Sequence, residues 1–262
     1  MIDSAPGMLV LGLGTVTIVM VVTTLVSRLV GRVSVVDVAW GLGFVAVVVV
    51  AALLGDGDVA RRWLLAVLVA VWGLRLAQHI YRRSRGHGED PRYAALLGDS
   101  GFATVVRKVF LTQGVAMWFI SLPVLVAAVT EVHWWALVGA GAALWLVGLV
   151  VEAVGDAQLA AYRSDPDRAA RGPVMDRGLW AWTRHPNYFG DACVWWGIWL
   201  IGGPATGWLP GLLTVAAPLA MTYFLVYATG ARLLEKTMMK REGYPEYAAR
   251  TSMFFPLPPR RH

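Results

Sequence analysis

Charge is scarce in this chain: Asp, Glu, Lys and Arg make up 15% of its residues, against roughly a quarter in soluble domains. With 57% hydrophobic residues and apolar runs of bilayer-spanning length, that shortage excludes an ordinary water-soluble surface. Cysteine is nearly missing. The single Cys193 leaves no internal disulfide and nothing resembling a zinc or redox pair, so no metal is expected. Acids are outnumbered by bases, for a formal charge of +6. The bases sit in short loops between apolar runs rather than in a basic domain, which argues against a nucleic-acid partner. The chain also lacks a Gly-x-Gly-x-x-Gly loop after a strand, a Walker lysine and a nucleophile elbow. It has no internal repeat of the transporter kind. Its first residues carry Asp3 and no basic stretch, so the first apolar run reads as a retained span rather than a cleaved signal.

What is there is a succession of apolar runs. They predict an all-α integral membrane bundle of about seven transmembrane helices, at 8–26, 36–54, 62–81, 109–129, 133–155, 187–203 and 208–230. Arg28 and Arg32 follow the first span, and Arg82, Arg83, Arg85, Arg92, Arg107 and Lys108 follow the third. Arg163, Arg168, Arg171, Arg177 and Arg184 follow the fifth, and the tail carries more. All fall on one side, which the positive-inside rule makes cytoplasmic, with the N-terminus outside. Only Arg61 and Arg62 face the other way.

Polar residues at membrane depth are the candidates for chemistry. Asp37 opens the second span and is open to three roles: proton donor, partner for Arg75, or interfacial residue. Tyr81 and Tyr93 are each a donor to a carbonyl or a member of an aromatic belt. The segment Gly88–Tyr93 reads as a turn and an amphipathic stretch, a lid over the cytoplasmic mouth. Further on, Glu152 and Asp156 share a helix face one turn apart. There they repel unless they line a polar cavity and accept from ligand amides, hydroxyls or arginines.

The densest cluster lies in residues 176–197. Arg184, His185, Asn187 and Asp191 fall where the chain turns from water-like to lipid-like. Pro186 disfavours helix at His185, so a helix starts at about Pro186 or Asn187. Its free N–H groups and positive dipole end, beside two basic side chains, suit an anionic ligand such as the phosphates of a nucleotide cofactor. An interfacial helix cap is the plainer reading.

Several motifs here carry a resemblance. Glu152-x-x-x-Asp156 with Arg163, Gly178-Leu-Trp, Arg184-His-Pro-Asn-Tyr-Phe-Gly-Asp191, Trp195-Trp-Gly197, Leu234-Glu-Lys, Tyr244-Pro-x-Tyr and Phe255-Pro resemble the steroid 5α-reductase superfamily over about 140–258. The whole chain resembles its bacterial DUF1295 branch, and sterol Δ14- and Δ7-reductases carry a similar Arg-His-Pro-Asn-Tyr-x-Gly-Asp. The resemblance implies a seven-span bundle whose cytoplasmic half encloses NADPH, in a bacterial inner membrane, and reduction of a carbon–carbon double bond in a steroid or other lipid substrate. It divides the chain into a substrate half, 1–135, and a cofactor half, 136–262. It places Asp156, Arg163, Asn187, Asp191 and Trp195 at the cofactor, with Arg184, His185, Tyr188 and Gly190 of the same motif. Glu152 stands where the reductases usually have asparagine. Steroid reductases polarise the enone carbonyl with a glutamate and a tyrosine; Asp37, Tyr81 or Tyr93 would substitute here, and alignment on Arg75 puts Trp72 at the tyrosine's place. Arg-His-Pro-x-Tyr-x-Gly also occurs in isoprenylcysteine carboxyl methyltransferases, which makes S-adenosylmethionine the alternative cofactor. A non-catalytic lipid-binding protein is the third reading. The sequence leaves the oligomeric state open.

Overall fold

The computed structural model describes residues 1–98, 100–167, 172–228 and 230–260. Among them the secondary structure is helical, apart from two isolated bridges, Ile2 with Gly55 and Thr183 with Ser252. The long helices are α1 (Ala5–Val30), α2 (Val35–Leu54), α3 (Val59–Ser84), α5 (Phe102–Ile120) and α7 (Trp135–Ser164), with the short α4 (Pro91–Leu97) and α6 (Leu122–Ala127) between them. Then come α8 (Pro186–Gly202), α9 (Trp208–Thr214), α10 (Ala216–Tyr223), α11 (Ala231–Met238) and α12 (Tyr244–Arg250). Among the described residues, six helical runs are long and apolar enough to cross a membrane: α1, α2, α3, α5, α7 and Trp208–Met238.

Two expected spans differ in detail. The run at 187–203 forms α8, whose 17 residues cover about 25 Å, short of the roughly 30 Å of a hydrocarbon core. The run at 109–129 is broken at Ser121, and Pro123 sits in the first turn of α6, where its missing N–H costs nothing. The chain divides into two compact units, Met1–Val138 with Trp199–Ala217, and Gly139–Ile198 with Pro218–His262. The segment 199–217 thus belongs with the N-terminal spans, although it lies beyond the 135/136 division read from the sequence.

In the first unit, α1 buries Met8, Gly12, Val16, Met20, Thr23 and Ser27, one stripe at helical spacing. Its opposite face exposes Val10, Ile18, Val22 and Leu29. A helix apolar on both faces belongs in lipid. Helices α2 and α3 meet backbone to backbone: a Cβ on Gly41 would lie 2.4 Å from the Gly73 carbonyl oxygen, a small-residue contact of the membrane kind. Around it, Phe44 packs edge-on against the fully buried Trp72 at 5.8 Å. Trp72 is therefore core.

Arg61 and Arg62 correct the charge reading, because both are buried. Arg61 donates to the Ala127 carbonyl at 2.9 Å and the Thr206 hydroxyl at 2.6 Å, and Arg62 donates to the Ala52 carbonyl at 2.9 Å. They satisfy carbonyls that the ends of α6 and α2 leave without helical partners. They are internal caps rather than a loop charge opposing the basic side.

The start of α2 is capped from a distance. Glu89 accepts from the N–H groups of Val33 and, at 3.0 Å, Ser34, while Arg32 donates back to the His87 carbonyl at 2.6 Å. The stretch expected to be a lid is thereby tied to the α1–α2 turn. Burial pushes the Glu89 carboxyl up, but the Ser34 hydroxyl and the N–H groups of Val33, Ser34 and Asp90 outweigh it and hold the group below its ordinary value. A depressed carboxylate stabilises the fold above its unfolded pKa, and that contribution disappears as pH falls through the folded value. Glu89→Gln is expected to cost about 1 kcal/mol at pH 7. In thermal unfolding in detergent, the gap between variant and wild type should narrow below about pH 4, where the unfolded carboxyl also takes up its proton.

Candidate functional site

The second unit is built on the crossing of α7 and α8, and glycine makes it possible. A Cβ on Gly148 would lie 2.5 Å from the Gly190 carbonyl oxygen, one on Gly190 would lie 2.5 Å from Gly148 O and from Glu152 N, and one on Gly197 would lie 2.5 Å from Gly141 O. Gly141, Gly148 and Gly155 recur every seven residues, as do Gly190 and Gly197. This keeps one glycine edge of each helix facing the other. Gly190 is therefore a packing residue, and its place in the motif follows from contact between backbones.

That contact brings the polar residues together. Asn187 Nδ2 donates to Asp156 Oδ1 at 3.2 Å. Glu152, Asp156 and Asp191 are 3%, 9% and 7% exposed, which places three carboxylates in a low-dielectric interior. Such groups persist only where polar partners satisfy them. Trp195 is buried one turn beyond Asp191, while Arg163 is exposed at the far end of α7. Close to Asp156 along the same helix, Gln158, Tyr162 and Asp165 line one wall of an open cleft of about 370 Å³. Met175, Asp176 and Arg177 line the other. The cleft falls within the range of about 300–1,000 Å³ usual for small-molecule sites.

Helix α8 begins at Pro186, but its N-terminus is not an open anion site. The position where Gly155 would carry a Cβ lies 3.3 Å from Asn187 N, so α7 packs on the helix start, and it brings the acidic Asp156 there. The two bases are also committed. Arg184 donates Nε and Nη2 to Glu235 at 2.6 and 2.9 Å, and Nη1 to the carbonyls of Ala248 and Thr251 at 2.9 and 2.5 Å. Burial works against the Arg184 charge, and the hydrogen bonds and charge of Glu235 outweigh it, so the guanidinium is held more firmly protonated than usual. His185 Nε2 lies 3.1 Å from Glu235 Oε1, and the ring stacks on Tyr188 at 5.4 Å. Arg184 thus spends its fork on closing the chain, a role that a ligand phosphate was expected to fill.

The tail supplies that closure. It runs along 182–185. Arg184 N donates to Ser252 O at 2.9 Å, Leu257 N to Trp182 O at 3.0 Å, and the Tyr247 hydroxyl to Trp180 O at 2.6 Å. Glu235 and Tyr247 stand in the motifs Leu234-Glu-Lys and Tyr244-Pro-x-Tyr, but their bonds to Arg184, His185 and Trp180 span 50 or more residues and leave no local pattern.

A second cluster stands in the first unit. Asp37 accepts from Tyr93 Oη at 2.5 Å and from Arg92 Nη2 at 2.8 Å, and Gln113 Nε2 donates to Tyr93 Oη at 3.0 Å. The partner considered for Asp37 was Arg75; the structure gives it Tyr93 and Arg92 instead, while Tyr81 is 54% exposed. Burial raises the Tyr93 hydroxyl, and the neighbouring Asp37 raises it further. Tyr93 therefore stays protonated and able to donate across the physiological range.

These features define a polytopic helical membrane protein with one buried polar cluster and one half-buried one. Residues 23–251 match the family described as protein of unknown function DUF1295, and the chain belongs to that family. No curated protein and no solved structure matches it.

If Gly190 serves contact between backbones, Gly190→Ala should lower the unfolding free energy by about 1–3 kcal/mol, seen as a lower midpoint of thermal unfolding. Gly139→Ala, on the same helix as Gly148 but with open space at its Cβ, should leave the midpoint unchanged.

Proposed function

We propose that the protein is a membrane-embedded reductase of a carbon–carbon double bond in a lipid, an oxidoreductase acting on a CH–CH group with NADPH. The observation that carries this reading is the gathering of Glu152, Asp156, Asn187 and Asp191 at one glycine-lined crossing, on the motif that resembles the steroid 5α-reductases. The residues suit a dinucleotide by their chemistry. Carboxylates and an asparagine accept from, and donate to, amide and ribose hydroxyl groups, and the adjoining cleft offers Gln158, Tyr162 and Arg177. With Arg184 engaged by Glu235, Arg177 in the cleft wall supplies positive charge for phosphates. On this reading the site faces the cytoplasm across a bacterial inner membrane, which the basic loops and the resemblance to a bacterial branch support.

When bound, NADPH would supply the hydride that reduces one alkene carbon. The chain's own share is position and proton. In the first unit, Gln113 donates to the Tyr93 oxygen while Tyr93 points its hydrogen at Asp37. A substrate carbonyl taking Asp37's place as acceptor would receive that hydrogen and be polarised by it. Arg92 holds Asp37 through one nitrogen and Asp90 through two, so the acid that orients Tyr93 is itself fixed.

Two measurements test the reading. Purified protein in detergent should bind NADPH, and Asn187→Ala should weaken binding about tenfold or more, as for a lost hydrogen bond to a charged group. Asp191→Asn, which keeps the shape, guards against a folding effect. Binding of S-adenosylmethionine without response to NADPH would instead favour a lipid methyltransferase, and binding of neither a non-catalytic lipid-binding protein. With an accepted enone lipid, Tyr93→Phe should lower kcat on the order of 10²-fold with little change in KM; an unchanged kcat would remove Tyr93 from the chemistry.

A further inference from the structure

The helix α11 carries a surface that the reading above does not use. It closes the run Trp208–Met238, which is long and apolar enough to cross a membrane. There Arg232, Lys236 and Lys240 recur every fourth residue and Arg241 follows, all exposed. Two apolar side chains, Leu233 and Met239, stand exposed among them at 40% and 46%. The Arg232 guanidinium rests 4.4 Å above the ring of Tyr227, itself half-exposed.

The one acid of α11 would ordinarily temper this charge, since Glu235 lies three residues from Arg232 and next to Lys236. It is turned the other way and held by Arg184 and His185. Among the described residues, none of the four bases forms an ion pair with a carboxylate. A row of unopposed bases with apolar side chains beside it, at the end of a spanning run, fits one occupant. We infer that α11 and the turn after it form a docking surface for the headgroups of anionic phospholipids in the bilayer the protein spans. The bases meet phosphate, and Leu233 and Met239 dip toward the glycerol and upper acyl region. A soluble anion would satisfy the bases and leave the apolar pair in water, which is why the lipid is the better fit.

Hydrogen exchange of the full-length protein in nanodiscs tests this without any cofactor, so its outcome is separate from that of the reductase reading. The amides of 231–241 should exchange roughly fivefold or more slowly in phosphatidylglycerol-rich discs than in phosphatidylcholine discs, the effect of about one basic side chain at a charged surface. The triple variant Arg232→Gln, Lys236→Gln, Lys240→Gln should lose that difference. Exchange of 186–202 reports whether it is folded, and if it is not, the double variant Arg232→Gln, Lys240→Gln takes its place. The charge-keeping variant Arg232→Lys, Lys236→Arg, Lys240→Arg should retain it. Equal exchange in the two lipids, or slowing that persists without the bases, would overturn the inference. So would the same slowing produced by inorganic phosphate in phosphatidylcholine discs.

Discussion

Where Gly148 meets Gly190 there is room for no side chain at all, and the second unit is arranged around that fact. In a bilayer, helices gain little by burying apolar surface against each other, because the lipid is as apolar as the protein. Close approach of backbones supplies the dispersion contacts that hold them instead. Glycines at seven-residue intervals let α7 and α8 stay in register over several turns. The same closeness carries the polar residues flanking the glycines inward, so that Asp156 reaches Asn187 while Glu152 and Asp191 are sealed from solvent. A wider crossing would leave these carboxylates facing lipid, where they could not stay charged.

Arginine serves this protein chiefly as an internal fastener. Arg61 and Arg62 close helix ends in the first unit, and Arg184 closes the tail onto the motif in the second. Each satisfies backbone carbonyls that neither water nor a helix ladder would reach, and a planar fork with several donors suits that task better than a lysine. The consequence for Arg184 is direct: four of the five N–H donors of its guanidinium go to Glu235 and to two carbonyls. Its value to the site lies in fixing His185 and the start of α8 against the C-terminal segment.

The first unit shows how a polar cluster can be legible in its members and hidden in its pairing. An acid at the start of α2 was conspicuous by composition alone, and so were the tyrosines after α3. That Asp37 takes Tyr93 rather than Arg75 or Tyr81 depends on Pro91, which starts α4 just past the Glu89 cap and turns Arg92 and Tyr93 toward α2. Glycine spacing is the opposite case. The repeats at 141, 148, 155 and at 190, 197 were readable, yet they acquire meaning only once α7 and α8 are known to be partners. Glu235 was visible only within Leu234-Glu-Lys; its pairing with Arg184 and His185, far back in the chain, was not.

By itself the sequence determined the helical class, the membrane setting, most span positions and the start of α8 at Pro186. The reason is locality: in lipid each segment must satisfy its own backbone, so the hydropathy of a stretch declares its structure. Only the tertiary structure decided which polar groups meet. The turning of Glu235 inward, the burial of Arg61 and Arg62, the partner of Asp37 and the division into units with 199–217 rejoining the first all join residues distant in the chain. Such pairings are set by the packing of whole helices and leave no trace in the neighbours of either residue.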